Sequence, residues 1–433
     1  MSERLEKWLF KLSVAFILAL TIFIYGVAVG RFKIMPFETI SEMYGAAKSL
    51  VKYGRIVPEN QLIKSSKYQL VQSPDGSSGE LFTIQNPELM MSGYYIFQVW
   101  DDHNQWHSAL LYNHLGEHLH TWKLDYYAFD PDGPLNGSDG PHGFAVLSDG
   151  SVIVNYDKGD VMARVDRCGK PIWIKQGVFH HSLQEAEDGS FWTWRGEGSS
   201  YSQYQYILNF NAETGATIKE IGLVEDLIKS NDDATAIFLI RPDYPFKHFE
   251  TLPSDKEDLF HPNDIDVLHS DIAPMFPDFK AGDLMISLKN LDLVAVLDPD
   301  SRVVKWWDHG PWRWQHDPDF TSNGKISVYN NNVGLERSEI LKMDPKTREV
   351  FNDLYYGEVR FYSESMGKHQ YLPNGNVLIV VPEEGRVLVV TPTGQMVMEY
   401  NNISAKGASI NGIINNGLWV PADYFDTFPE CSQ

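Results

Sequence analysis

A strand pattern that restarts on histidine governs what this chain can become. From about residue 91, short runs of β-branched, aromatic and aliphatic residues alternate with Gly, Asn and Asp turns. That is the signature of strands with short connections, not of helices. Five units open on His142, His181, His261, His316 and His369. The first reads HGFAVLSDGSVIVNYDKGDVMARVDRCGKPIW, and the last HQYLPNGNVLIVVPEEGRVLVVTPTGQMVMEY. Residues 94–124 look like a further copy without the histidine entry. Asp149-Gly150 and Asp188-Gly189 lie 39 residues apart, and Asn323-Gly324 and Asn374-Gly375 lie 51 apart. Such pairs suit tight hairpins that need positive φ, and the spacing matches a four-stranded propeller blade of ~40–50 residues. The expected fold is therefore all-β, a six-bladed β-propeller over residues 91–433. Its ring would close by pairing the first copy with either 417–425 or 61–85. A pair of β-sandwiches is the alternative, but it leaves the repeated histidine unexplained.

The chain has 433 residues, with 36 Lys+Arg against 58 Asp+Glu and a formal charge of −22. This argues against a nucleic-acid partner, since phosphate binding needs a basic stripe. A small anionic substrate remains compatible, because a few local cations can oppose the global field. Two cysteines, Cys168 and Cys431, exclude a disulfide-scaffolded fold and a Cys-based zinc site. They leave two readings: a single bridge in an oxidising compartment, or a buried thiol and a thiol on a loose tail.

Leu12 to Gly30 is a run of 19 residues without a charge, between Lys11 and Arg31. At ~1.5 Å per residue a helix of this length nearly spans a ~30 Å hydrocarbon core. The expectation is an uncleaved single-pass transmembrane helix, residues 1–35, carrying one large soluble body. A cleaved signal peptide ending near Ala28-Val29-Gly30 is the rival. Arg4, Lys7 and Lys11 before the run balance Arg31, Lys33 and Lys48 after it, so charge does not orient it. Phe37, Ile40, Tyr44, Ala47 and Val51 recur at helical spacing, which predicts a stalk helix within a 36–90 lead-in.

In a propeller, equivalent positions of the innermost strands converge on one axis, so the five histidines would cluster in space. Three readings follow. They bond neighbouring blades; they bind Zn, Cu or Fe; or one imidazole attacks an electrophilic phosphorus or sulfur and forms a covalent intermediate. No Glu-x-x-His or His-Glu-x-x-His pairing supports a metal, and no cofactor is implied. Lys289 in ISLKNLDLVAVLD, one strand after His261, is the cation best placed to stabilise the transferred group's oxygens.

HPNDIDVL with ISLKNLDLVAVLD, then WQHDPDFTSNGKISVYNNN and FYSES, resemble the bacterial arylsulfate sulfotransferase family over roughly residues 90–400. The resemblance implies an exported, periplasmic six-bladed propeller that moves a sulfuryl group from an aryl sulfate donor to a phenolic acceptor. It implies a sulfohistidine at His316, by the match of Gln315-His316 ahead of Tyr329-Asn330-Asn331. By the same resemblance His261 and Asn263 match a His-x-Asn motif, Lys289 stands where the family has arginine, and His181 of His180-His181 is the pocket member. The catalytic set is thus His316, His261, Lys289 and His181. In this setting Lys289 and a protonated His261 or His181 would face the sulfuryl oxygens, and Asn263 would join the substrate site. Trp307, Trp312, Trp314 and Tyr362 lie near the motifs and would line an aryl slot. The alternative function is a non-catalytic, membrane-anchored propeller that binds a ligand or serves assembly. Homo-oligomerisation is left open.

Overall fold

The computed structural model describes residues 3–32, 69–104, 106–130, 140–156, 159–200, 202–229, 238, 258–352, 354, 359–429 and 431. They belong to two compact units, Met1–Lys67 and Tyr68–Gln433. In the first, the helix Glu3–Phe32 covers the uncharged run, and its apolar side chains, Phe16, Ile17, Leu18, Ile22 and Phe23 among them, are exposed. Among the described residues, however, no helix is long and apolar enough to cross a membrane. The expected transmembrane segment is therefore without structural support. The stalk helix expected at 37–51 lies outside the described residues.

The second unit is all-β and propeller-like. Its described strands form six antiparallel meanders and one small three-stranded sheet. The first meander is Tyr94–Asp101, Trp106–Asn113 and His118–Leu124, with Ile414–Val420 as its innermost strand. Of the two closures considered, the carboxyl-terminal one is thus realised. The other five run in chain order outward from Pro141–Val146, Phe179–Glu185, Pro262–Val267, His316–Phe320 and Lys368–Tyr371. These six inner strands touch one another cyclically, and Ile414–Val420 meets Pro141–Val146 to close the circuit. Phe82–Ile84 adds a fifth strand to the last meander, beside Met396–Asn401. Leu70–Gln72 pairs with Gly407–Gly412 in the small sheet.

Burial on both faces explains the uninterrupted apolar runs. Ile153 packs with Phe191 and Phe210 of the next sheet, while its neighbours Val152 and Val154 pack with Trp122 of the preceding one. Ile379 and Leu378 diverge in the same way. Six apolar clusters result, each between adjacent sheets. A strand buried on both faces shows no polar alternation.

The Asx-Gly hairpins form as expected. Gly150, Gly189, Gly324 and Gly375 all have positive φ, between 75° and 85°, and each amide closes a turn to the carbonyl three residues back. The cysteines pair: Cys168 is bonded to Cys431, with Cα atoms 5.5 Å apart, inside the range a disulfide needs. The bridge ties the carboxyl-terminal tail to a hairpin of the second sheet.

Candidate functional site

A cavity of about 440 Å³ is lined by residues of all six inner strands, represented by His142, His181, Asn263, His316, Lys368 and Asn415. Five of those strands break register near their start: between Pro141 and Phe144, His180 and Leu183, Pro262 and Asp264, His316 and Asp319, and Ile414 and Asn416. A bulge inserts an unpaired residue and re-aims side chains. His181, His261, Trp314, Asp317 and Met366 have φ between 45° and 63°, and they are five of the ten described non-glycine residues with positive φ. Left-handed backbone at such residues costs of order 1–3 kcal/mol each and concentrates at functional sites. Gly143 follows His142 where a Cβ would lie 2.0 Å from the His181 carbonyl oxygen, so only glycine lets these two strands meet.

His316 is 5 % exposed. The Asn331 amide nitrogen donates to the carbonyls of Ser363 at 2.9 Å and Met366 at 2.6 Å. That turns its Oδ1 toward His316 Nδ1, 2.7 Å away, with the Trp314 carbonyl 3.0 Å from the same nitrogen. Two acceptors on Nδ1 require its proton there, so the lone pair is on Nε2. The Met366 N–H donates to that lone pair at 3.1 Å. Burial, the Lys289 ammonium and the neighbouring imidazoles hold the His316 pKa well below the ordinary histidine value, against the Asn331 hydrogen bond. His316 is therefore a neutral, oriented imidazole.

His181 lies against His142 with ring centroids 3.9 Å apart and planes tilted by 38°, and meets His261 edge-on at 5.2 Å. Burial, then His142, His180, His261 and His316, push its pKa well below the ordinary value. The expectation of a protonated His181 beside sulfuryl oxygens is corrected here, because desolvation among other imidazoles penalises the cation. The His261 ring and main-chain N–H both bond the Asp258 carboxylate. The His261 carbonyl accepts from Lys289 N–H at 3.1 Å, which fixes the turn that carries Lys289. Lys289 is 8 % exposed, and its ammonium stands 4.6 Å from the Trp314 ring centroid. Asn263 donates from Nδ2 to the Gln315 carbonyl at 2.7 Å, and its buried Oδ1 accepts no hydrogen bond.

The fifth histidine departs. His369 Nδ1 bonds Asp317 at 2.9 Å and Nε2 bonds Ser327 at 2.8 Å. It belongs to a second cluster in which Lys368 Nζ lies 2.7 Å from Asp264 and 2.6 Å from Asp317. Burial raises Asp264 to about 6 and Asp266 to about 7. Burial also acts upward on Asp317, but Lys368 and His369 outweigh it and bring Asp317 down to about 2. Among the described residues, Asp317, Asp319 and His369 are the one trio with ligand atoms within 4.8 Å of each other. The site imidazoles do not form such a trio, and Lys368 already supplies a cation to Asp317.

Of the aromatics, Trp314 meets His316 through its carbonyl and Lys289 through its ring, although Trp314, His261 and Lys289 are not among the residues that line the cavity. Trp312 is core, its indole N–H donating to the Asp292 carbonyl at 2.8 Å. Trp307 packs partly buried against another core cluster. Tyr362 is not among the cavity-lining residues, and its main-chain N–H is held by Glu384 at 2.9 Å. His142 was among the five candidate histidines but was given no role in the catalytic set, and Asn331 and Met366 were not singled out from sequence as site residues. His142 carried the repeat phase as a signal; Met366 acts through its backbone and carries none.

Fold and site together define an all-β, propeller-like protein with a histidine-lined cavity among its inner strands. The chain belongs to the arylsulfotransferase (ASST) family, whose model matches residues 143–403, more than half of its length. A comparison with curated proteins found no match. Among solved structures, the chain is similar to a protein of unknown function from Bacteroides caccae, at 11% identity over 75% of this chain and 99% of that one, with a TM-score of 0.47. It is similar to TolB from Acinetobacter baumannii at 12% identity, over 76% and 67% of the two chains, with a TM-score of 0.43. It is similar to the Dos1 propeller at 10% identity, over 80% and 94%, with a TM-score of 0.41.

Proposed function

We propose that this chain transfers a sulfuryl group from an aryl sulfate ester to a phenolic acceptor by way of a sulfohistidine at His316, in a site at the centre of a six-bladed ring. The observation that carries the reading is the fixed Nε2 lone pair of a neutral His316. That lone pair attacks sulfur, the S–O bond to the aryl group breaks, and its electron pair leaves on the phenolate oxygen. The charge then arising on the ring is met by the Asn331 and Trp314 oxygens at Nδ1. Lys289 offsets the negative charge on the sulfuryl oxygens. The Met366 amide, which caps Nε2 in the resting site, withdraws as sulfur arrives. In the second half-reaction the phenol oxygen attacks sulfur, the S–Nε2 bond breaks back to His316, and the phenolic proton passes to a neutral base. His181 has the character that step needs.

The test is a chromogenic aryl sulfate with and without a phenol. Release that depends on the acceptor, with a burst equal to the enzyme present, is the expected result. His316→Ala should abolish burst and turnover while leaving the melting temperature within a few degrees. Continued turnover without an acceptor, beyond that burst, would mean a hydrolase, and no release at all by the wild type a binding or assembly module.

The setting belongs to the same proposal. The uncharged run 12–30 and the Cys168–Cys431 bridge support an anchored body in an oxidising, extracytoplasmic compartment. Recovery of the full-length chain in the aqueous fraction after membrane separation would remove the anchor.

A further inference from the structure

We propose that Gln205 and His180 are positioning residues that set the tautomer of His181 and so aim its Nε2 lone pair into the cavity. This rests on the sulfotransfer reading only for the step that His181 serves. Gln205 is 1 % exposed, and its amide nitrogen donates to the carbonyls of Ser200 at 3.0 Å and Ser202 at 2.7 Å. A flipped amide would set its oxygen against two carbonyl oxygens, so the orientation is determined. Gln205 Oε1 therefore faces His180 Nε2, 2.8 Å away, and that nitrogen carries the proton. His180 is fully buried, and its Nδ1 is left as an acceptor. His181 Nδ1 lies 2.7 Å from it and donates its own proton. The remaining lone pair of His181 is on Nε2, across the ring from His180, in a side chain that lines the cavity.

The relay repeats at one remove what Asn331 does for His316: an amide locked by two carbonyls decides which nitrogen of a buried imidazole keeps its lone pair. In the acceptor half-reaction, the phenol O–H proton passes to His181 Nε2 as the phenol oxygen bonds sulfur and the S–Nε2 bond returns its electrons to His316. The relay keeps that nitrogen unprotonated and pointed at the incoming proton. With the relay cut, the His181 proton is free to reside on Nε2, where it blocks the transfer.

Three variants and two readouts test this. Gln205→Met and His180→Leu remove the relay at similar volume, while His180→Asn restores an acceptor where Nδ1 stood. Two-bond nitrogen–proton spectra of histidine-labelled protein, assigned with His181→Gln, report the tautomer without reference to activity. The wild type should show His181 protonated at Nδ1, and the first two variants should show proton density on Nε2. With a nitrophenyl sulfate, whose leaving group needs no proton, their burst should stay within about 3-fold while acceptor-dependent turnover falls about 100-fold, and His180→Asn should recover most of that loss. His181 protonated at Nε2 in the wild type overturns the proposal. So does full turnover in the cut variants, an equal loss of burst and turnover, or an Asn variant no better than Leu. A wild type with no burst defeats the sulfotransfer reading, and the spectrum then still decides the relay.

Discussion

The histidine cluster and the carboxylate cluster are built by adjacent residues of the same strands, yet they do opposite things with buried polarity. Asn263 and His316 belong to the first; their chain neighbours Asp264 and Asp317 belong to the second. In the carboxylate cluster, charge is met by charge: Lys368 bridges Asp264 and Asp317, and Asp317 also accepts from the His369 main-chain N–H and ring. In the histidine cluster the protein assigns protons instead, so that nitrogen lone pairs survive burial. The first arrangement ties three inner strands together through paired charges. The second is held in strained backbone and keeps its reactive nitrogens unprotonated, which is what a nucleophile and a base require.

The sharpest way to break this contrast is to remove one lysine from each cluster. Lys368→Met leaves Asp264 and Asp317 buried without their cation, which should cost about 3–5 kcal/mol of stability and appear as a large fall in melting temperature. Lys289→Met should do the reverse, lowering transfer by about 100- to 1,000-fold with little change in melting. If both variants lose stability alike, the division between a structural and a reactive cluster fails.

The division was legible in sequence only in part. Hairpin turns and twofold-buried strands announce themselves in Asx-Gly pairs and unbroken apolar runs, and the repeat phase brought His142, His181, His261 and His316 to one place. It placed His369 with them as well. That strand pairs with its neighbour without a register break, so its histidine turns to Asp317 and Ser327 instead. Bulges are backbone events with no reliable residue signature, and the strand that lacks one carries a histidine that lines the cavity while bonded to Asp317 and Ser327. Gln205 sits on the third strand of its own meander, outside the repeat phase. Met366 contributes an amide that any residue but proline possesses. Tyr362 lay in a suggestive motif, but Glu384 holds its main chain in a segment that does not line the cavity.

The histidines of one cluster and the raised carboxyls of the other predict opposite responses of stability to pH. His316 and His181 have depressed pKa values in the fold, so between those values and about 6.5 the unfolded chain binds more protons. Their contribution is present above about 6.5 and is lost as pH falls. Asp264 and Asp266 are raised to about 6 and about 7, so the folded chain holds the extra protons. Their contribution is full below about 3.9 and is lost as pH rises through the values in the fold. Melting temperature against pH should be a dome, with the acid limb shallower in His181→Gln and the neutral-to-alkaline limb unchanged. The transfer rate should stay flat well below pH 6.5, because the neutral His316 persists there. A rate that halves near 6.5 would place the nucleophile in ordinary solvent.

The smallest expected effect is the most discriminating for Lys289. Its ammonium stands over the Trp314 ring, and Trp314 in turn offers its carbonyl to His316 Nδ1, so one residue seats both the cation and the nucleophile. A guanidinium stacks on an aromatic face at least as well as an ammonium and adds a planar fork suited to two oxygens. Lys289→Arg should therefore keep burst and turnover within about 3-fold, provided charge over Trp314 is what the site uses. A loss approaching that of Lys289→Met would show instead that a compact ammonium is needed, and would move the sulfuryl oxygens closer to the turn at Lys289 than to the indole.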